Sequence, residues 1–166
     1  MLSVVVLLCL SALAVNAQFP FPIANNGQCK PGWTYIQGSC YVYGERAATW
    51  TDAQTFCAAA GGTLFEIETS ALNMDLKREA MQRGPECVWL GAGDIFKQIG
   101  ALGFQGGSWR WIHSGNAINT FNDFASGEPN NFGPGDYCLA LSQRLSYAWA
   151  TFPCDYKCKF ICQNTR

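Results

Sequence analysis

Two segments of the chain carry apolar residues three or four positions apart, the spacing of one face of an α-helix. The first segment begins near Thr49 and ends at Gly61, and its apolar positions are Trp50, Ala53, Phe56, Cys57 and Ala60. The second starts after Ser70 and ends at Gly84, with an apolar stripe of Leu72, Leu76 and Ala80 and with Lys77, Arg78 and Glu79 outward. A hydroxyl residue before the segment and a glycine after it are typical helix boundaries. We therefore predict two amphipathic helices.

Short apolar runs elsewhere predict strands. A hairpin is expected between Cys29 and Cys40, followed by a strand at 41–43, and later strands are expected at 87–91, 138–141, 147–149 and 158–162. Residues 92–137 contain eleven glycines or prolines and only one clear apolar run, at 109–112. An irregular stretch of this length inside a small domain is typical of a binding loop. The pattern as a whole predicts an α+β domain.

The first 17 residues differ from the rest because they are almost wholly apolar and end in the small residues Val15-Asn16-Ala17. This pattern predicts a signal peptide cleaved after Ala17, and hence a secreted, extracellular protein. A retained membrane anchor is the alternative, but about 20 apolar residues are needed to span a bilayer and the run is too short. Residues 18–28 are expected to form an N-terminal arm and residues 29–166 the domain, with no later membrane span.

Removal of the leader, with Cys9, leaves eight cysteines, at positions 29, 40, 57, 87, 138, 154, 158 and 162. An even number in a secreted chain predicts a disulfide framework, although eight cysteines allow 105 pairings. A zinc site is disfavoured because His113 is the single histidine. The net charge of −1 gives no attraction to nucleic acid.

Catalytic signatures are absent from the sequence. His113 is the single candidate general base, and no Gly-x-Ser-x-Gly motif occurs. Glu66 and Glu68 form a pair of carboxylates on a strand-like segment without a distinctive setting. We therefore expect a binding protein and not an enzyme.

Several short motifs occur in a fixed order along the chain: Trp50 and Cys57 in the first helix, Val88–Gly91, Trp109-x-Trp111, Gly127–Gly133, Trp149 five residues before Cys154, and Phe160–Cys162. In these residues the chain resembles the C-type lectin-like domain in its long form. The resemblance implies an α+β fold in which two helices flank short antiparallel sheets and a long irregular loop binds the ligand.

The resemblance also implies three disulfides, Cys29–Cys40, Cys57–Cys162 and Cys138–Cys154. Cys87 and Cys158 remain, and we expect them to form a fourth bond within the chain. An interchain disulfide is the alternative for these two cysteines.

The family binds sugar through a calcium ion that chelates two vicinal hydroxyls. The resemblance assigns Glu128, Asn130 and Asp136 to both the calcium ion and the sugar, with Pro129 in a cis peptide bond. The Glu-Pro-Asn triplet implies mannose- or glucose-type sugars. On composition alone the same residues are a plain turn, since Gly, Pro and Asn cluster in turns for backbone reasons.

The resemblance implies Trp-Asn-Asp at positions 149–151, whose Asn and Asp would supply two further ligands, and the chain departs from the family at these two positions. Ala150 has no side-chain oxygen and Thr151 has a neutral hydroxyl, so three of five side-chain ligands remain. Calcium prefers six to eight oxygen ligands, and we expect weak or absent calcium binding. A second calcium is disfavoured because Tyr137 replaces an acidic residue. Phe132 and Phe152 flank this site, whereas Trp89, Trp109, Trp111 and Trp149 are expected in the core.

These observations predict a secreted lectin whose partners are glycans or glycoproteins. The alternative is a calcium-independent domain of the same fold that binds a protein or a mineral or matrix surface. A single shallow sugar site gains avidity from clustering, so a homo-oligomer is a further expectation.

Overall fold

The computed structural model describes residues 29–94, 109–130 and 137–164. The expected signal peptide and N-terminal arm, together with Asp136 and Phe132, lie outside these ranges. Within them the strands are β1 Thr34–Ile36, β2 Ser39–Ala48, β3 Gly62–Leu64, β4 Cys87–Asp94, β5 Trp109–Trp111, β6 Tyr137–Ser142, β7 Ala148–Pro153 and β8 Cys158–Asn164. The helices are α1 Trp50–Ala59 and α2 Ser70–Arg83, and a 3-10 turn covers Gln143–Leu145.

Both predicted helices are present, and their ends follow from local chemistry. The hydroxyl of Thr49 accepts a hydrogen bond from the backbone N–H of Asp52 at 3.1 Å and caps α1. Thr69 caps α2 in the same way, through the N–H of Leu72 at 3.2 Å. Gly84 ends α2 with φ +69°, a left-handed conformation that glycine adopts without steric cost. Among the described helices, neither is long and apolar enough to cross a membrane.

Two details of the predicted pattern are wrong. Phe56 does not belong to the buried face of α1, because its side chain is 53% exposed and meets the ring of Phe160 edge-on at 5.2 Å. The buried residues of this helix are Trp50, Ala53 and Cys57. Glu66 and Glu68 do not lie on a strand, because β3 ends at Leu64 and the chain continues irregularly to α2.

The strands form one sheet in the order β1-β2-β8-β4-β6-β7, with β3 paired to β8 and β5 paired to β4. The resemblance implied several short antiparallel sheets, whereas here the strands join into a single sheet. Most pairs are antiparallel, but β4 and β8 run parallel. Every residue of β4 is buried, as expected of a central strand covered on both faces. The strand β7 lies at the end of this order opposite to β1.

The side chains of the sheet alternate between two apolar layers, as strand geometry requires. Val88, Leu90 and Ala92 of β4 pack in the layer that contains the apolar stripe of α2. Trp89 of the same strand packs in the layer that contains the buried face of α1. The four tryptophans expected in the core are buried, with exposures of 0 to 7% for Trp89, Trp109, Trp111 and Trp149.

The structure contains four disulfides: Cys29–Cys40, Cys57–Cys162, Cys87–Cys158 and Cys138–Cys154. These are the pairs expected from the sequence, and the Cys87–Cys158 bond lies within one chain. All eight cysteines belong to the α1 layer. The α2 layer, by contrast, is held together by noncovalent contacts.

Candidate functional site

The long loop is fixed to the domain by Trp149 of β7, whose side chain is fully buried. The rings of Trp111, Phe121 and Phe124 meet Trp149 edge-on, with centroid distances of 5.5 to 5.7 Å. The backbone of Trp149 also donates to the carbonyl of Asp123 at 2.8 Å and accepts from the N–H of Ala125 at 2.9 Å. Edge-to-face aromatic pairs of this kind are favourable, so residues 121–125 have a defined position beside β7.

A polar network ties the same loop to α2. The amide of Asn73 accepts from the indole Nε1 of Trp149 at 2.8 Å and donates to the carboxylate of Asp123 at 2.9 Å. Lys77 forms a salt bridge to the same carboxylate at 2.7 Å. Asn73 is 4% exposed, and its hydrogen bonds satisfy a buried amide that would otherwise be costly. This network explains a polar residue in the otherwise apolar stripe of α2.

The Glu128-Pro129-Asn130 segment follows a turn closed by the N–H of Glu128 and the carbonyl of Ala125, 2.9 Å apart. Gly127 has φ +86° in this turn, a conformation that favours glycine. The Glu128–Pro129 peptide bond is cis, as the resemblance implied. The turn places the side chain of Glu128 against β7.

Glu128, Asn130 and Thr151 form a hydrogen-bonded unit that we call the clasp. One carboxylate oxygen of Glu128, Oε2, accepts from the N–H of Thr151 at 3.0 Å and from its hydroxyl at 2.7 Å. The same oxygen accepts from the N–H of Asn130 at 2.8 Å. Hydrogen bonds to an ionised acceptor are the stronger kind. Three donors therefore hold this carboxylate in one orientation.

Neighbouring residues of β7 point to opposite faces of the sheet. The side chain of Thr151 faces Glu128, whereas Phe152 packs in the α1 layer, edge-on to Trp89 at 6.1 Å. Phe152 therefore does not flank the clasp as the sequence suggested. Ala150 is 3% exposed and pairs with the buried Ala140 of β6. An amide at position 150 would accordingly enter the core in this structure.

The structure brings together two of the three predicted site residues, Glu128 and Asn130. Thr151, which the sequence showed only as a lost ligand, is the residue that joins them. The clasp directs three hydrogen-bond donors at Oε2, and donors repel a cation. The donors around Oε2 therefore disfavour a calcium ion at this oxygen, and an ion bound there would have to displace the donors of Thr151. Among the described residues, no cluster of three or more His, Cys, Asp or Glu side chains is suited to a metal.

Glu66 has a structural role that the sequence did not reveal. It is 6% exposed, and its Oε1 accepts the backbone N–H groups of His113 and Ser114 at 2.9 and 3.1 Å. The N–H of Glu66 donates to the side chain of Gln163 at 2.8 Å. Glu66 therefore fixes the turn after β5 to the end of β8, which is a structural role. Only the tertiary fold brings these residues together, so no local sequence pattern predicts this role of Glu66.

The profile of the family described as Lectin C-type domain matches residues 46–164 of this chain. The chain is 30% identical over 157 residues to the C-type lectin mannose-binding isoform of Oxyuranus scutellatus, with 92% of each chain covered. It is 29% identical over 144 residues to CD209 antigen-like protein D of Mus musculus, covering 84% of this chain and 55% of that protein. The chain thus spans about half of the mouse relative.

A solved structure gives the same result for the fold. The carbohydrate-recognition domain of the mouse scavenger receptor C-type lectin superposes with a TM-score of 0.69 at 25% identity, covering 83% of this chain and 98% of that domain.

Proposed function

The chain belongs to the C-type lectin domain family, and from this membership we propose that it is a secreted carbohydrate-binding protein. It recognises mannose- or glucose-type glycans through the loop that carries Glu128 and Asn130, and its dependence on calcium is weak or absent. The family is a class of non-enzymatic binding domains, so the function proposed is recognition and not catalysis. The observation that carries the proposal is the clasp.

The clasp holds its carboxylate without a cation. Oε2 of Glu128 is occupied by three donors, whereas Oε1 accepts no hydrogen bond from the described part of the chain. The side chain of Asn130 is exposed and supplies both donors and an acceptor. A carboxylate oxygen and an amide that the described residues leave unengaged can accept from one sugar hydroxyl and donate to the next. Because the clasp holds the carboxylate in place before binding, little conformational entropy is lost in ordering it when the sugar binds.

A second candidate function rests on the two positions that lack calcium ligands. Thr151 turns its hydroxyl toward Glu128, and Ala150 is buried, so neither extends a metal shell. Without an ion the loop presents a small polar surface that also suits a protein or a mineral or matrix surface. The test of the first function separates the two.

The experiment is a glycan array probed with the secreted protein in calcium and in chelator. The matched variants are Glu128→Gln, which removes the carboxylate of the clasp, and Glu68→Gln, which changes an exposed glutamate outside it. We expect mannose- and glucose-terminated glycans to be retained in chelator by the wild type and by Glu68→Gln, and lost by Glu128→Gln. Galactose, whose 4-hydroxyl is axial, should compete poorly.

The opposite results are equally informative. Glycan binding that survives Glu128→Gln would place the sugar site elsewhere. Binding abolished by chelator in the wild type would show that calcium does bind despite the clasp. Absence of binding to every glycan on the array would favour the protein- or surface-binding alternative.

A further inference from the structure

A depression of about 310 Å³ lies on the α1 side of β7, the face opposite to the clasp. Its apolar wall consists of Phe152, Pro153 and Tyr156, and its polar rim consists of Glu86, Ser142 and Arg144. This volume lies at the lower end of the range of small-ligand sites. None of these residues belongs to the clasp.

The two aromatic rings of the depression are held rigidly. Phe152 is fixed by its strand and by edge-on contact with the buried Trp89 at 6.1 Å. Tyr156 lies 5.5 Å from Phe152 with the planes tilted by 34°, and its N–H donates to the carbonyl of Pro153 at 2.9 Å. The disulfides Cys87–Cys158 and Cys138–Cys154 flank the same segment. Tyr156 remains 39% exposed, so part of its side chain is accessible to a ligand.

The rim has hydrogen-bonding capacity that the described residues do not use. Oε1 of Glu86 accepts from the hydroxyl of Tyr156 at 3.1 Å and from Nη2 of Arg144 at 3.3 Å. Oε2 of Glu86 accepts nothing from the described residues. Arg144 carries five N–H donors, of which one bonds Glu86 and the others meet no acceptor in the described part of the chain, and its side chain is 83% exposed. The bond to Glu86 raises the pKa of Tyr156, so its hydroxyl remains a donor.

These features define the chemistry of the ligand. The charges of Glu86 and Arg144 cancel, so the depression has no preference for a charged molecule. The face of an aromatic ring carries negative partial charge, which suits the weakly positive C–H groups on one face of a pyranose ring. A free carboxylate oxygen and a guanidinium at the rim suit the hydroxyls at its edge. We propose that this depression is a second, calcium-independent subsite for the pyranose ring of a neutral glycan.

The subsite goes beyond the proposed function because it uses none of the residues of the clasp. Its test is an NMR titration of the isotope-labelled protein with methyl β-glucopyranoside and methyl α-mannopyranoside in chelator. The variants are Tyr156→Ala, which removes the exposed ring, and Glu86→Gln, which removes the negative charge of the rim. Tyr35→Ala is the matched control, since Tyr35 is 42% exposed on the distant strand β1. Glu128→Gln reports the clasp separately.

We expect one of the glycosides to shift the amide signals of residues 142–145 and 152–156. Tyr156→Ala should weaken this binding about tenfold or more, as truncation of an aromatic anchor does, while Tyr35→Ala and Glu128→Gln leave it unchanged. Shifts confined to residues 128–130, or no shift with either sugar, would overturn the subsite. Phenol binding in the depression without binding of either glycoside would also overturn it, because the site would then suit an aromatic side chain. Loss of binding in Glu128→Gln alone would leave the clasp as the sugar site.

Discussion

Thr151 gives both its backbone N–H and its hydroxyl to one oxygen of Glu128, at 3.0 and 2.7 Å. The family pattern places an aspartate at this position, and two carboxylates so close repel each other unless a cation lies between them. A threonine and a carboxylate attract each other directly. The substitution therefore replaces an arrangement that needs an ion with one that is stable without it.

The hydroxyl of Thr151 can be removed with little change of shape by Thr151→Val. We expect the free energy of unfolding to fall by about 1 to 2 kcal/mol, because a half-buried hydrogen bond to a charged acceptor is lost. Chemical denaturation measures this change. The control is Thr55→Val on α1, whose hydroxyl bonds a neutral backbone carbonyl at 2.9 Å in an exposed setting and should cost less than about 0.5 kcal/mol. Equal losses in the two variants would show that the clasp adds no stability.

Thr151→Asp should make the stability of the domain depend on calcium. In chelator we expect a loss of about 1 to 3 kcal/mol, because a donor is replaced by a second carboxylate facing Glu128. Calcium at about 100 times its dissociation constant should restore about 2.7 kcal/mol. Thermal unfolding with and without calcium gives the measurement, and Thr151→Asn serves as the uncharged control. If calcium stabilises the wild type as strongly as it stabilises Thr151→Asp, the wild type has more calcium ligands than the clasp implies.

The disulfides should differ in their contribution to stability according to the length of chain that they close. Cys87–Cys158 joins residues 71 apart and Cys29–Cys40 joins residues 11 apart. The chain-entropy relation gives about 4 kcal/mol for the first and about 3 kcal/mol for the second. Denaturation of the two paired Cys→Ala variants should reproduce this order.

The intact mass of the unreduced protein provides the control for the disulfide comparison. A monomer that lacks eight hydrogens matches the four bonds of the structure. A disulfide-linked dimer, or the reverse order of the two losses, would contradict the assignment of Cys87–Cys158 as an intrachain bond.

Alkaline pH should destabilise the domain through Tyr41, which is 8% exposed. Burial, followed by the nearby charge of Glu79, raises the pKa of Tyr41 to about 12. Below pH 10 the hydroxyl is protonated in both states and the contribution of Tyr41 to stability is fully present. Above pH 10 the unfolded chain releases a proton that the folded chain retains, so the free energy of unfolding falls as the pH rises toward 12. The loss is about 2 to 3 kcal/mol.

Tyr41→Phe tests this origin of the alkaline transition. Denaturation across this range should show a shallower decline in the variant than in the wild type. Some decline should remain, because burial also raises the pKa of Tyr43. The exposed Tyr35→Phe should follow the wild type. A wild-type slope in Tyr41→Phe would mean that other groups control the transition.

The elements that the sequence predicted correctly are those that depend on neighbours along the chain. Thr49 and Gly84 mark helix ends because capping is local. The helix α2 begins at Ser70, slightly earlier than predicted, because Thr69 and not Ser70 is its cap. The prediction that Phe56 is buried was wrong because its position in the helix is compatible with either face. The packing of Phe160 and β8 decides which side of the helix is covered.

The site was predictable only in part, because some of its contacts depend on tertiary packing and not on neighbours along the chain. Glu128 and Asn130 were identified from a short motif, but the role of Thr151 depends on which face of β7 it occupies. The depression beside Tyr156 joins Arg144 and Phe152 to Glu86, which lies 58 positions before Arg144 in the sequence. Such sites arise from strand register and disulfide pairing, which single-sequence patterns do not determine.

The order of the strands also determines how the molecule can be attached to something else. The first described strand, β1, and the last, β8, lie toward one side of the sheet, while β7 forms its opposite edge. Three strand spacings separate β8 from β7, about 14 Å at the usual distance between strands. A biotin group or a solid support joined directly to β1 or to β8 is therefore separated from the edge at β7 by the intervening strands. Copies immobilised at these strands would keep that edge accessible to the solution.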